Sequence, residues 1–177
     1  MSQRVLALER ALVAIPHAFG GALALAYYAE PRATIDIDLN LFIPAERFSE
    51  VGVPLTDLGA AADDPAVADL VRRDGQARVM WDATPIDLFF AYDRFHQAVE
   101  RARRTVPFAD ASITILGPEH LIICKAVYNR PKDWVDIDAM LANDVTIDVA
   151  EVLRWVGRIA GDHDPRFERL AAVLTRS

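Results

Sequence analysis

Apolar and polar positions recur along this chain with two different periods, and the points where the period changes mark its elements. Between residues 3 and 15, Val5, Leu6, Leu8, Leu12, Val13 and Ile15 recur among charges at helical spacing, and Pro16 ends the run. His17-Ala-Phe19 predicts a short strand entering Gly20-Gly21, and residues 22–29 a second helix that stops near Pro31. Thr34 to Phe42 switches to period two. Thr34, Asp36, Asp38 and Asn40 face one way, and Ile35, Ile37, Leu39 and Leu41 the other, as in a half-buried strand.

Pro44 opens a helix over about 44–51, and residues 52–63 read as loop. Asp64-Pro65 starts a helix running to Asp74-Gly75. Residues 76–81 and 85–91 are two strands of a hairpin joined through Asp82-Ala-Thr84, and a helix follows at 93–103. A strand at 111–116 ends in Gly117-Pro-Glu119, a helix start. The rest is helical, at about 118–129, 132–142, 148–160 and 165–175. These elements predict an α/β (α+β) fold. A small mixed sheet flanked by helices occupies residues 1–117, and a helical C-terminal third, residues 118–177, packs on it in a single unit.

Composition narrows the class. A chain of 177 residues with 53% hydrophobic and 25% charged residues has the size and balance of one globular domain. No run approaches the ~20 apolar residues of a membrane span, and Glu9 and Arg10 interrupt the N-terminal apolar stretch too early for a secretory signal. The expectation is a cytoplasmic protein with no membrane partner. Cys124, the single cysteine, excludes a disulfide framework and a zinc cluster; its apolar helical setting predicts a buried thiol. A net charge of −7 excludes a surface coated for nonspecific nucleic-acid binding. Arg101-Ala-Arg-Arg104, with Arg94 and His96, forms a local basic cluster, and Arg72-Arg73 a second; either is a nucleic-acid contact or a solvated helix face.

The candidate chemistry lies in carboxylates. On a strand, residues i and i+2 share a face, so Asp36 and Asp38 stand side by side. Like charges that close need a cation or water between them. Mg²⁺ takes oxygen ligands and uses one or two carboxylates while leaving room for phosphates. The pair is therefore either a Mg²⁺-nucleotide ligand set or a polar strand face. Asp87, in Pro85-Ile-Asp-Leu-Phe-Phe-Ala91, sits among apolar residues, where a carboxylate needs a metal, hydrogen-bond donors or an arginine. Beside the Asp36 strand it becomes a third ligand, and three carboxylates can hold two Mg²⁺ about 4 Å apart for phosphoryl or nucleotidyl transfer. Asp136-x-Asp138 has the same letters but falls on a helix, where i and i+2 diverge by roughly 200° and cannot share a metal.

Gly20-Gly21 lies between strand and helix, either as a tight turn or as a place where the backbone meets a phosphate. Lys125 is a snorkelling surface lysine or a triphosphate ligand. Asp133 and Asp136 share a helical face and can orient Lys125, Arg130 or Lys132.

Three blocks together resemble the nucleotidyltransferase superfamily of the DNA-polymerase-β type, and within it the AbiEii-like toxins and related small nucleotidyltransferases. They are Gly20-Gly-Ala-Leu-Ala-Leu…Arg32-Ala-Thr34-Ile-Asp36-Ile-Asp38-Leu, the later strand aspartate Asp87, and Lys125-Ala-Val-Tyr-Asn-Arg130-Pro-Lys132-Asp133-Trp-Val-Asp136-Ile. The resemblance implies a nucleotidyltransferase fold with Asp36, Asp38 and Asp87 as catalytic ligands of Mg²⁺, with Mn²⁺ as its substitute. It implies NTP binding by Gly20, Gly21, Thr34 and Lys125, with Arg32, Arg130, Lys132 and Asp133 as further members of the blocks. The better-known AbiEii-like toxins carry a larger C-terminal helical part. Compact antibiotic nucleotidyltransferases, such as the lincosamide type, share the short layout.

The expected activity is transfer of a nucleoside monophosphate from an NTP, such as ATP, to a hydroxyl. A tRNA acceptor and an antitoxin partner follow from the toxin resemblance. A small-molecule, antibiotic-type nucleotidyltransferase is the first alternative, and a non-catalytic nucleotide- or partner-binding relative the second.

Overall fold

A computed structural model describes residues 1–143 and 145–175. It confirms the mixed α/β class with a largely helical C-terminal third. The helices are α1 (Ser2–Ala11), α2 (Gly21–Leu25), α3 (Ser49–Asp57), α4 (Pro65–Asp74), α5 (Arg94–Ala102), α6 (Pro118–Tyr128), α7 (Pro131–Ala142), α8 (Val149–Ala160) and α9 (Pro165–Leu174). The strands are β1 (His17–Phe19), β2 (Ile37–Leu41), β3 (Gln76–Trp81), β4 (Thr84–Phe90), β5 (Arg104–Phe108) and β6 (Ala111–Ile115). The chain divides into two compact units. One comprises Met1–Leu23 and Ala33–Leu116, the other Ala24–Arg32 and Gly117–Ser177.

The first unit is built on a six-stranded sheet of order β3-β4-β2-β1-β6-β5. Its centre is mixed: β2 runs parallel to β4 and antiparallel to β1, and β1 runs parallel to β6. Period-two alternation sorts the faces. Ile37, Leu39 and Leu41 of β2 and Ile86, Leu88 and Phe90 of β4 are buried on one face. Asp38, Asn40, Asp87 and Phe89 share the other, less covered face. Val5 and Leu8 of α1 and Val51 and Leu55 of α3 complete this core.

Several boundaries differ from the sequence pattern. The first helix ends at Ala11, so Val13 falls beyond it and is exposed. The second helix stops at Leu25 rather than reaching residue 29. The Thr34–Phe42 strand shortens to Ile37–Leu41: Asp36 precedes it, and Ile35, 72% exposed, does not join the buried row. Residues 52–57 are helical, not loop. A short 3-10 turn at Ala45–Arg47 leads into α3, which retains Pro54 because Val51 and Leu55 anchor its buried face. Arg104 heads a strand that the pattern does not reveal. Pro107 inside β5 removes a donor, which an edge strand tolerates.

The second unit has α6 at its centre, packed on α7, α8 and α9. Leu121, Ile122, Ile123 and Ala126 of α6 meet a core drawn from Trp134, Ile137 and Met140 of α7, Val152 and Val156 of α8, and Leu170 of α9. Asn129 caps α6 in the left-handed region and accepts a hydrogen bond from the Trp134 indole at 2.8 Å. Pro131 then opens α7. Cys124 is half-buried, less enclosed than its neighbours imply. Among the described residues no helix is long and apolar enough to cross a membrane.

Candidate active site

Strand register brings the carboxylates of the first unit together. Asp38 of β2 is the register partner of Asp87 of β4, and Asp87 in turn is the partner of Arg78 of β3. Cross-strand partners present their side chains to the same face, so Arg78, Asp87 and Asp38 form one row across three adjacent strands. The row continues to Gly20, whose N–H donates to the Asp38 carbonyl at 2.9 Å. Asp36, two residues before Asp38, lies just ahead of the strand, and the Thr34 hydroxyl donates to its carboxylate.

The glycine pair abuts the Asp38 carboxylate. Gly21 has φ +52°, and a Cβ placed on it would stand 1.7 Å from Asp38 Oδ2. A Cβ on Gly20 would meet Asn40 Nδ2 at 2.7 Å. Only an unsubstituted backbone fits over this aspartate. The helix behind Gly21 has five residues. A helix this short offers little of the dipole expected of a phosphate cradle.

Asp87 is half-buried, with a side chain 19% exposed, and it has an arginine partner. The Arg78 guanidinium donates from Nε to Asp87 Oδ1 and from Nη2 to Oδ2, both at 2.7 Å. The sequence offered metal, donors or an arginine for this carboxylate, and the arginine is present. The paired Asp87, helped by the nearby charges of Asp36 and Asp38, raises the Arg78 pKa above its ordinary value.

These carboxylates are hard oxygen donors of the kind Mg²⁺ takes, and register places Asp38 and Asp87 side by side. The set therefore fits Mg²⁺ in donor type and backbone placement. As the side chains stand, no group of three or more His, Cys, Asp or Glu among the described residues is gathered to hold a metal ion. Asp87 is turned onto Arg78, and Asp36 accepts from Thr34.

The second unit carries the remaining candidates in two ion-pair systems. Lys125 Nζ lies 2.6 Å from Asp136 Oδ2, and both side chains are buried, 6% and 5% exposed. Arg32 adds a fork to the same carboxylate, with Nε to Oδ1 and Nη2 to Oδ2 each at 3.0 Å. Burial pushes the Asp136 carboxyl up, but the hydrogen bonds from Arg32 and Lys125 outweigh it and hold the group below its ordinary range. Asp133 is fully buried and accepts from the Arg130 backbone N–H at 3.0 Å and from its Nε at 2.7 Å, which ties down the start of α7. Lys132 is exposed. The sequence pairing of Asp133 and Asp136 with nearby cations holds, with Asp133 taking Arg130 and Asp136 taking Lys125. Asp138 is exposed while Asp136 is buried, so this second pair diverges as helix geometry requires. Sequence reasoning missed Arg78. Its signal was period two within the hairpin, which sets Arg78 opposite Asp87 once the two-residue turn is fixed.

Comparison with protein families matches residues 5–175 to the family described as "Nucleotidyl transferase AbiEii toxin, Type IV TA system". No curated protein matches the sequence. Among solved structures, the crystal structure of ANT(2'')-Ia in complex with adenylyl-2''-tobramycin is similar at a TM-score of 0.54 and 17% identity, covering 99% of this chain and 97% of that one. The solution structure of the same antibiotic-resistance factor gives 0.50 and 17%, over 99% and 94%. An antigenic nucleotidyltransferase-like protein from Paracoccidioides brasiliensis gives 0.54 and 17%, over 99% and 87%. At this identity the likeness is one of fold.

Proposed function

Because the chain belongs to the AbiEii nucleotidyltransferase family, we propose that it moves a nucleoside monophosphate from an NTP to a hydroxyl of tRNA, as the toxin of a toxin–antitoxin pair. The observation that carries this reading is the register of Asp38 with Asp87 on parallel strands, with Gly20-Gly21 closing over Asp38. Asp36, Asp38 and Asp87 are the residues that would hold Mg²⁺. When bound, Mg²⁺ neutralises charge on the phosphates and favours the attacking oxygen in its ionised form.

The chain's own residues supply the rest. Thr34 orients the Asp36 carboxylate through its hydroxyl. Gly21, without a Cβ, makes room for the Asp38 carboxylate against the turn. Asp87 accepts the proton of the acceptor hydroxyl while its oxygen attacks the α-phosphorus, and pyrophosphate leaves. The resemblance gives Lys125 a phosphate-binding role; within the second unit its ammonium pairs with the buried Asp136 carboxylate. Arg94, Arg101 and Arg104, all exposed, support an RNA acceptor.

Incubation with labelled NTPs, Mg²⁺ and total tRNA tests the proposal, and label in tRNA that disappears in Asp38→Asn is the expected result. A second reading, an aminoglycoside-type acceptor, draws on the fold likeness to ANT(2'')-Ia and on the net charge of −7, which suits a cationic drug. Label on aminoglycoside and none on tRNA, with drug tolerance instead of growth arrest on expression, would replace the first reading by the second.

A further inference from the structure

Arg78 stands where a like-charged cluster needs a cation. Asp38 and Asp87 are neighbours in register, and Asp36 is two residues from Asp38. Carboxylates at neighbouring positions of one sheet face repel one another in the absence of positive charge. Arg78 is the cross-strand partner that meets this need, and its planar fork engages both Asp87 oxygens at once.

A purely structural purpose accounts poorly for the pair. Arg78 lies on the edge strand β3 with its side chain 56% exposed. Solvent around the Arg78 guanidinium screens part of what the pair adds to the fold. Such a location also lets the guanidinium leave for solvent without opening the core, since the buried face of β3 is carried by Val79. The same fork engages both Asp87 oxygens, and among the described residues no three carboxylates are gathered to hold a metal ion.

We propose that Arg78 is a resident counter-cation of the acidic row, which competes with the incoming divalent ion for the Asp87 carboxylate and releases it when that ion arrives. Arg78 is thus a positioning residue acting through Asp87. This inference rests on the reading of Asp36, Asp38 and Asp87 as the ligand set. That the Arg78 guanidinium also feels the charges of Asp36 and Asp38 agrees with it.

Mn²⁺ binding to the full chain without nucleotide, followed by loss of the free-ion electron paramagnetic resonance signal, tests it. Arg78→Gln is expected to bind Mn²⁺ about threefold tighter than the wild type, the scale of an exposed ion pair. Arg78→Lys, with one point charge and no fork, is expected to fall between them. In an Asp87→Asn background the Arg78→Gln change should lose its effect, because competition runs through that carboxylate. A persisting effect there would reveal only general electrostatics and overturn the proposal. Unchanged or weaker affinity in both Arg78 variants, with Asp38→Asn still weakening binding, also overturns it and leaves the ligand set standing. Mn²⁺ binding indifferent to Asp38→Asn in every background removes the ligand set, and the proposal with it. Melting curves in chelator establish that the variants are folded.

Discussion

Gly21 and Asp38 stand so close that no side chain fits between them: a Cβ on Gly21 would be 1.7 Å from Asp38 Oδ2. The positive φ of +52° adds a second obstacle to any L side chain. Gly21→Ala must therefore displace the carboxylate or the turn. We expect loss of nucleotidyl transfer together with about 1–3 kcal/mol of destabilisation, measured by label transfer and chemical denaturation. Gly20→Ala, whose added methyl meets the movable end of Asn40, should cost less on both counts.

Substituting the acids one at a time separates chemistry from folding. Asp36→Asn, Asp38→Asn and Asp87→Asn preserve shape while removing charge, and each should lower the transfer rate by at least about a hundredfold. Their melting temperatures should stay near or above that of the wild type, since each change relieves repulsion. A variant that loses stability in step with activity would count against a direct role for that residue.

The Lys125–Asp136 pair makes the opposite prediction. Both side chains are buried, so Asp136→Asn leaves an ammonium enclosed without its counter-charge. We expect a loss of about 3 kcal/mol in denaturant unfolding, partly recovered when Lys125→Met is added.

That pair also sets a pH dependence. The folded Asp136 carboxyl is held below its ordinary value of 3.8. Its stabilisation is thus complete above that value and is lost as pH falls through the folded-state value. Below about pH 4, the wild type should lose more stability as pH falls than Asp136→Asn does. Parallel slopes for the two proteins would show that the pair does not govern acid sensitivity.

RNA as acceptor has its own test. Arg101→Glu with Arg104→Glu should weaken tRNA use and flatten its salt dependence, while pyrophosphate exchange with NTP alone stays unchanged.

Much of this was legible in the order of residues, and the exceptions share physical causes. Long periodic helices such as α4, α8 and α9 announced themselves, because Asp64, Asp148 and Asp164 cap them and buried residues recur at helical spacing. The β3–β4 hairpin was legible from its alternation. The β5–β6 hairpin was only half seen: Pro107 reads as a breaker, and its turn uses Ala109, at φ 52°, where a glycine or asparagine would have signalled it. Spacing and resemblance single out Asp36, Asp38 and Asp87 as candidates, but their neighbours depend on which strands meet. The hairpin alone sets Arg78 opposite Asp87, but no local pattern says that β2 lies on the other side of β4, and so none says that Asp38 is there.

The division of the chain has an evolutionary corollary. Residues Ala24–Arg32 belong with Gly117–Ser177, not with the segments on either side of them, and Arg32 reaches Asp136 across 104 positions of sequence. The polypeptide therefore passes from one unit to the other and back before its final crossing. A recombination event that exchanged everything after residue 117 would strand Arg32 without its carboxylate and deliver a helical part missing one of its own pieces. The second unit is thus not a contiguous C-terminal cassette, and a cut at residue 117 would divide it.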